Sequence, residues 1–178
     1  QSLETWNCRF EGTSSAPAIW EALWKRLVIE IGNAVLGQPA ADLMAESAGG
    51  FVRSLLTGKE NPADHQINLE SIVDKAANEA ITYLNKTFGP DIKNWAWAQA
   101  HTVKLVHPAA KTQAMKQLFN LGPFNCPGGG GTVNNRRPVE TDSGFENASG
   151  VSYRLFVDMS EPNMAWGATL AGQSGQPG

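Results

Sequence analysis

The sequence predicts an α+β fold, with helices in the first half and strands in the second. Three observations carry that reading. Apolar residues recur at three- and four-residue spacing from Trp20 to Ile31 and again from Leu69 to Leu84. From Thr102 onward they alternate in short runs instead. Glycine turns at Gly128–Gly131 and Gly172–Gly175 punctuate the second half. With 178 residues, 42% of them hydrophobic and 17% charged, the chain is long enough to bury a real core. Residues 1–110 read as mainly helical and 111–178 as rich in strands and glycine loops, together an incomplete portion of one larger domain.

The start, Leu3 to Thr13, reads as irregular, anchored by Trp6. Ser14-Ser15-Ala16-Pro17 is a helix start, with a hydroxyl for the N-cap and a proline in the first turn. Trp20, Leu23, Trp24, Leu27, Val28 and Ile31 then form one amphipathic stripe, which Gly37-Gln38-Pro39 ends. A second helix is expected over 40–56, weakened by Gly49-Gly50 at about 1 kcal/mol per glycine. Gly58 to Gln66 is a polar connection. Leu69, Ile72, Val73, Ala76, Ala77, Ala80, Ile81 and Leu84 give the strongest helix, with Asn68 as cap and Gly89-Pro90 as stop. On these two helices Lys25, Glu30, Lys75 and Asn78 are expected in solvent. Strands are expected at Thr102–Val106, Thr132–Asn134, Tyr153–Asp158 and Ala165–Leu170, and 109–121 fits either a short helix or a loop.

Composition excludes several function classes. A net charge of -3 and the lack of any Lys/Arg cluster argue against nucleic acid, since the basic pair Arg136-Arg137 is too small a footprint. No apolar run approaches the roughly 18 residues of a membrane span. Cys8 and Cys126 fit either a disulfide or two thiols, and their spacing matches no zinc site. The chain starts at Gln1 and ends on Gly178 among turn residues, and both ends read as cut from something longer.

Each motif that invites chemistry has a plainer explanation. Gly128-Gly129-Gly130-Gly131-Thr132 lacks the lysine of a phosphate loop and reads as a permissive turn. Gly172-Gln173-Ser174-Gly175-Gln176 lacks the second glycine of a nucleophile elbow, so Ser174 reads as a turn hydroxyl. His101 and His107 bracket a strand and would share one side of it, but no carboxylate or thiolate stands near to complete a metal site. His65 falls in a polar loop. Trp20 and Trp24 fit the core, and Trp95 and Trp97 suit burial better than a ligand groove. Asp158 and Glu161 sit among Ser160, Pro162 and Asn163, which marks a strand-end turn rather than a carboxylate pair. Asn85-Lys86-Thr87 and Asn147-Ala148-Ser149 match a glycosylation sequon, a pattern common by chance. No catalytic, cofactor-binding or metal-binding residue is therefore assigned.

Taken in order, the blocks carry a resemblance. They are Trp97 and His101 before His107-Pro108, Gly122-Pro123 and the glycine run into Thr132-Val133-Asn134, Ser152-Tyr153-Arg154 to Asp158, and Gly172-Gln173-Ser174-Gly175. The series resembles the C-terminal part of the β-chain of penicillin-acylase-type amidases, which are N-terminal-nucleophile hydrolases. Leu3, Trp6 and the helix through Trp20 and Trp24 also sit where that family has a Leu-x-x-Trp segment and a helix. Asn7 and Cys126 depart from its pattern. The resemblance implies a fragment of an αββα sandwich, acting as scaffold for an enzyme that cleaves an acyl group from an amine. The substrate would be a β-lactam side chain or an acyl homoserine lactone. The nucleophile, a serine freed at the start of the β-chain by self-cleavage, would lie outside this segment, as would the oxyanion asparagine. Partners implied are the acylase α-chain and the upstream β-chain, with calcium in the complete protein and a periplasmic or secreted location. The other reading is a non-catalytic α+β module whose tryptophans line a ligand surface.

Overall fold

A computed structural model describes residues 2–37, 49–161 and 163–169. The fold is mixed α+β, helical first and stranded later, as the periodicities predict. The chain divides into two compact units, Gln1–Asn7 with Ser15–Trp95, and Cys8–Ser14 with Ala96–Gly178.

The first unit is helical. Helix α1 spans Ala16–Leu36 with Pro17 in its first turn, although Ser15 makes no side-chain cap bond. Gly37, at φ 69°, ends it in a conformation that favours glycine. Helix α2, Gly49–Leu56, falls within the range 40–56 where a helix is expected, and residues 40–48 lie outside the described residues. Gly49-Gly50 therefore stands at the start of the described helix, where Gly49 lets the Trp24 ring approach: a Cβ there would lie 3.3 Å from it. A 3₁₀ turn, Pro62–His65, leads to α3, Leu69–Phe88, whose N-cap Asn68 accepts the Ser71 amide at 3.1 Å.

Leu27, Val28 and Ile31 of α1, Val52 and Leu55 of α2, Ile67, and Ala76 of α3 form one buried cluster. Leu23 and Trp24 pack against it half-buried. Two expectations fail, one on α3 and one on α1. Ile81 is 47% exposed, because the buried line runs through Ala76, Ala80 and Leu84, and Ile81 is turned about 100° past Ala80. Glu30 is half-buried rather than free in solvent, drawn to Lys75 by a 2.7 Å ion pair between α1 and α3.

The second unit is built on strands. The short helix α4, Trp97–Ala100, runs directly into β1, His101–Leu105. Helix α5, Gln113–Phe119, is capped by Thr112. Then come β2 (Leu121–Asn125), β3 (Arg136–Thr141), β4 (Gly144–Gly150), β5 (Tyr153–Val157) and β6 (Ala165–Thr169). Four strands form one sheet in the order β2-β1-β4-β3, with β1 and β4 parallel and the outer pairs antiparallel. Strands β5 and β6 form a separate antiparallel hairpin. Thr132–Asn134 is a turn and not a strand, since Thr132 is bonded back onto Gly129.

Candidate functional site

Aromatic and ionisable side chains of the second unit converge around the glycine loop. Residues 8–14 prepare it by running beside α4. The Trp97 amide donates to the Ser14 carbonyl and the Ala98 amide to the Gly12 carbonyl, each at 2.9 Å. Gly12 is required for that approach, because a Cβ there would stand 2.8 Å from the Ala98 methyl. The Phe10 ring then lies on Gly129, a contact any side chain at 129 would block.

Trp97 is the centre. It is fully buried, and its indole N–H donates to the Gly128 carbonyl at 2.7 Å, satisfying the one polar atom an indole carries. Phe10 meets it edge-on at 5.5 Å, Phe145 at 5.4 Å, and His101 at 4.6 Å with the rings tilted by 30°. The glycine loop closes on itself. The Gly129 amide donates to Thr132 Oγ1, whose hydroxyl donates to the Gly129 carbonyl at 2.9 Å. The Gly128 amide is spent on the Phe10 carbonyl. Both buried glycine amides are thus committed within the protein, which removes the cradle a phosphate would need.

The Thr-Val-Asn and Ser-Tyr-Arg blocks prove to be physically joined. Asn134 donates from Nδ2 to the Pro127 carbonyl at 2.9 Å and accepts from Arg154 through Oδ1. Their shared polar chemistry hints at such a link, but nothing in their spacing reveals it.

His101 is wholly buried, and neither ring nitrogen has a hydrogen-bond partner among the described residues. Burial, opposed by the nearby Cys126 backbone and reinforced to a smaller extent by the Arg136 guanidinium, holds its pKa down at about 4, although the Cys126 backbone makes no bond of acceptable geometry with the ring. Cys126 is buried and its thiol pushed up by burial, against the pull of Arg136 and Arg154. A neutral imidazole and a neutral thiol with no hydrogen bond between them do not form a nucleophile–base pair. Cys8 is exposed, and both cysteines are free.

The other candidates scatter. His107 lies beyond the end of β1, whose pairing is irregular between Val103 and Leu105, so it does not share a strand face with His101. It accepts the Ala109 amide at 3.1 Å and stacks on Phe119. His65 meets Phe51 edge-on and lies 3.6 Å from Glu60. Asp158 accepts from the amide and hydroxyl of Ser160, which holds its carboxyl below the usual range, and the Glu161 amide closes the same turn. Trp95 and Trp97 are 6% and 0% exposed, so they line no open groove. Trp6, Trp20 and Trp24 form a half-buried ladder, the last two stacked at 5.4 Å. Asn85 is exposed on α3, while Asn147 stands in β4 with its side-chain oxygen buried. Ser174 lies outside the described residues. Among the described residues no group of three His, Cys, Asp or Glu side chains is placed to hold a metal.

The penicillin amidase family model matches residues 1–178, the whole chain. No curated protein matches it.

Proposed function

The chain belongs to the penicillin amidase family, and on that premise we propose that it is a scaffold segment of an enzyme cleaving acyl groups from amines. Membership makes the complete protein a hydrolase of the acylase type. The proposed nucleophile is a serine at the start of the β-chain, activated by its own α-amine after self-cleavage of a precursor. The substrate is a β-lactam side chain or an acyl homoserine lactone, so the enzyme serves antibiotic metabolism or the quenching of acyl-lactone signals. The partners of this segment are the acylase α-chain and the rest of the β-chain. Calcium, in this proposal, belongs to other parts of the complete protein. The location is periplasmic or secreted. Among the described residues, no helix is long and apolar enough to cross a membrane.

The observation that carries the reading is the family match over the full 178 residues. It is supported by the way the candidate groups here are occupied. His107 holds a turn, Trp97 holds the glycine loop, and His101 has no nucleophile in hydrogen-bond reach.

The test is single-turnover acylation of the correctly processed enzyme, using chromogenic phenylacetyl and long-chain acyl amides. His107→Ala and Ser174→Ala should leave the acylation step within a few-fold of native. Removal of the β-chain's first serine should abolish it, since loss of a nucleophile costs orders of magnitude. A Ser174→Ala enzyme that is folded and processed yet fails to acylate would move the site into Gly172–Gly175.

A further inference from the structure

His101 stands where three parts of the second unit meet. Its carbonyl accepts the Cys126 amide at 2.9 Å, and its register partner on the parallel strand β4 is Phe145. Its ring lies on Trp97. Buried polar atoms are nearly always hydrogen-bonded, so an imidazole with two orphan nitrogens is a stressed element of the fold. It is tolerable only while the ring is neutral.

The surroundings offer a proton little beyond the Cys126 backbone, which favours it but makes no bond of acceptable geometry with either ring nitrogen. Arg136, from β3, repels it, and the thiol of Cys126 is held neutral by burial. Glu146, next to Phe145 on β4, is taken by Lys104 at 2.6 Å. Glu140 on β3 has an interaction of its own, Arg154 on β5 is engaged with Asn134, and Arg9 and Glu11 face each other at 3.8 Å. The Trp97 face gives an imidazolium some cation–π attraction, which does not replace the hydration of two N–H groups.

We propose that His101 is an acid-sensitive latch: proton uptake on its ring parts β1 from Cys126 and Phe145 and uncovers the Cys126 thiol. The sign follows from the depressed pKa. An opened ring titrates near 6.5 and the closed one near 4, so the open form binds the proton that the closed form refuses. Opening is suppressed above pH ~6.5 and grows as pH falls toward ~4. Between pH 7 and 5 the opening equilibrium should rise about twentyfold.

The experiment reads thiol exposure in the full chain. Cys8 is exposed and would react at any pH, so it is replaced by asparagine, which tolerates the positive φ of 60° at that position. The chain is labelled with dithiodipyridine, a disulfide reagent that works in acid, and the modified residue is located by peptide mass. The quantity of interest is the Cys126 labelling rate divided by that of a His101→Gln partner, which cancels the reagent's own pH dependence and every pH effect that does not pass through His101. That ratio should climb about twentyfold from pH 7 to 5 while the helical circular dichroism is unchanged. A flat ratio overturns the proposal, as does a rise that appears only with loss of the helical signal. If His101→Gln does not fold, His101→Phe serves in its place, because a phenyl ring keeps the contact with Trp97.

Discussion

At the scale of single residues, burial makes Glu21 and His101 answer to pH in opposite directions. Glu21 on α1 is half-buried, and desolvation raises its pKa to about 7. Its folded-state value lies above the unfolded one, so its contribution to stability is fully present below about pH 4.5. That contribution is lost as pH rises through about 7. Glu21→Gln should therefore stabilise the protein by about 1–3 kcal/mol more at pH 8 than at pH 5, after discounting for the part of the side chain left in water. Urea midpoints at the two pH values check it, and equal gains would show that Glu21 keeps its ordinary titration. Trp97 makes a different demand. Trp97→Phe leaves the Gly128 carbonyl without its buried donor and should cost about 1–3 kcal/mol beyond the lost area. A loss no larger than the change in buried surface would mean that water replaces the indole N–H.

Elements show where sequence pattern governs and where it stops. On α3, Leu84 is fully buried and Ile81 is 47% exposed, although both lie on the stripe that spacing alone defines. Leu84→Ala should cost about 2–5 kcal/mol, whereas Ile81→Ala should stay within about 1 kcal/mol. Comparable losses in thermal or urea unfolding would return Ile81 to the core. The long helices were legible because a 3.6-residue repeat over 20 residues, closed by Asn68 and Gly89, has few alternatives. The sheet was not. Strand β2 is exposed at all five positions and carries Gly122-Pro123, and β3 and β4 alternate polar residues with few apolar ones. Strands that lean on hydrogen-bond partners rather than on a buried face leave little periodic trace. Thr132–Asn134 misled for the converse reason: a β-branched pair has strand propensity, but the Thr132 hydroxyl found a nearer partner in Gly129. In the candidate site the burial of Trp97 was readable from its chemistry. The carbonyl it satisfies, 31 residues away, was not.

Over the whole molecule, apolar surface collects on the β5–β6 hairpin. Phe156 pairs across the strands with Trp166, and both are 56% exposed. On the opposite face Tyr153, Leu155 and Val157 alternate, exposed by 55%, 59% and 44%. Apolar residues on both faces are the mark of strands covered on both sides. A two-stranded ribbon left in water is at best marginally stable. Arg154 ties this one to the glycine loop through Asn134, but a single polar contact does not hide five large side chains. If the rest of a complete amidase covers them, the 178-residue chain studied alone should bind an apolar dye such as anilinonaphthalene sulfonate strongly. The complete processed enzyme should bind little. Replacing Phe156 and Trp166 together by serine should remove much of the dye signal from the isolated chain while leaving the α1–α3 helices folded by circular dichroism. In the complete enzyme the same pair should lower the unfolding temperature, because it would then vacate a buried interface. An isolated chain that binds no dye would show that the hairpin is covered by residues within this sequence.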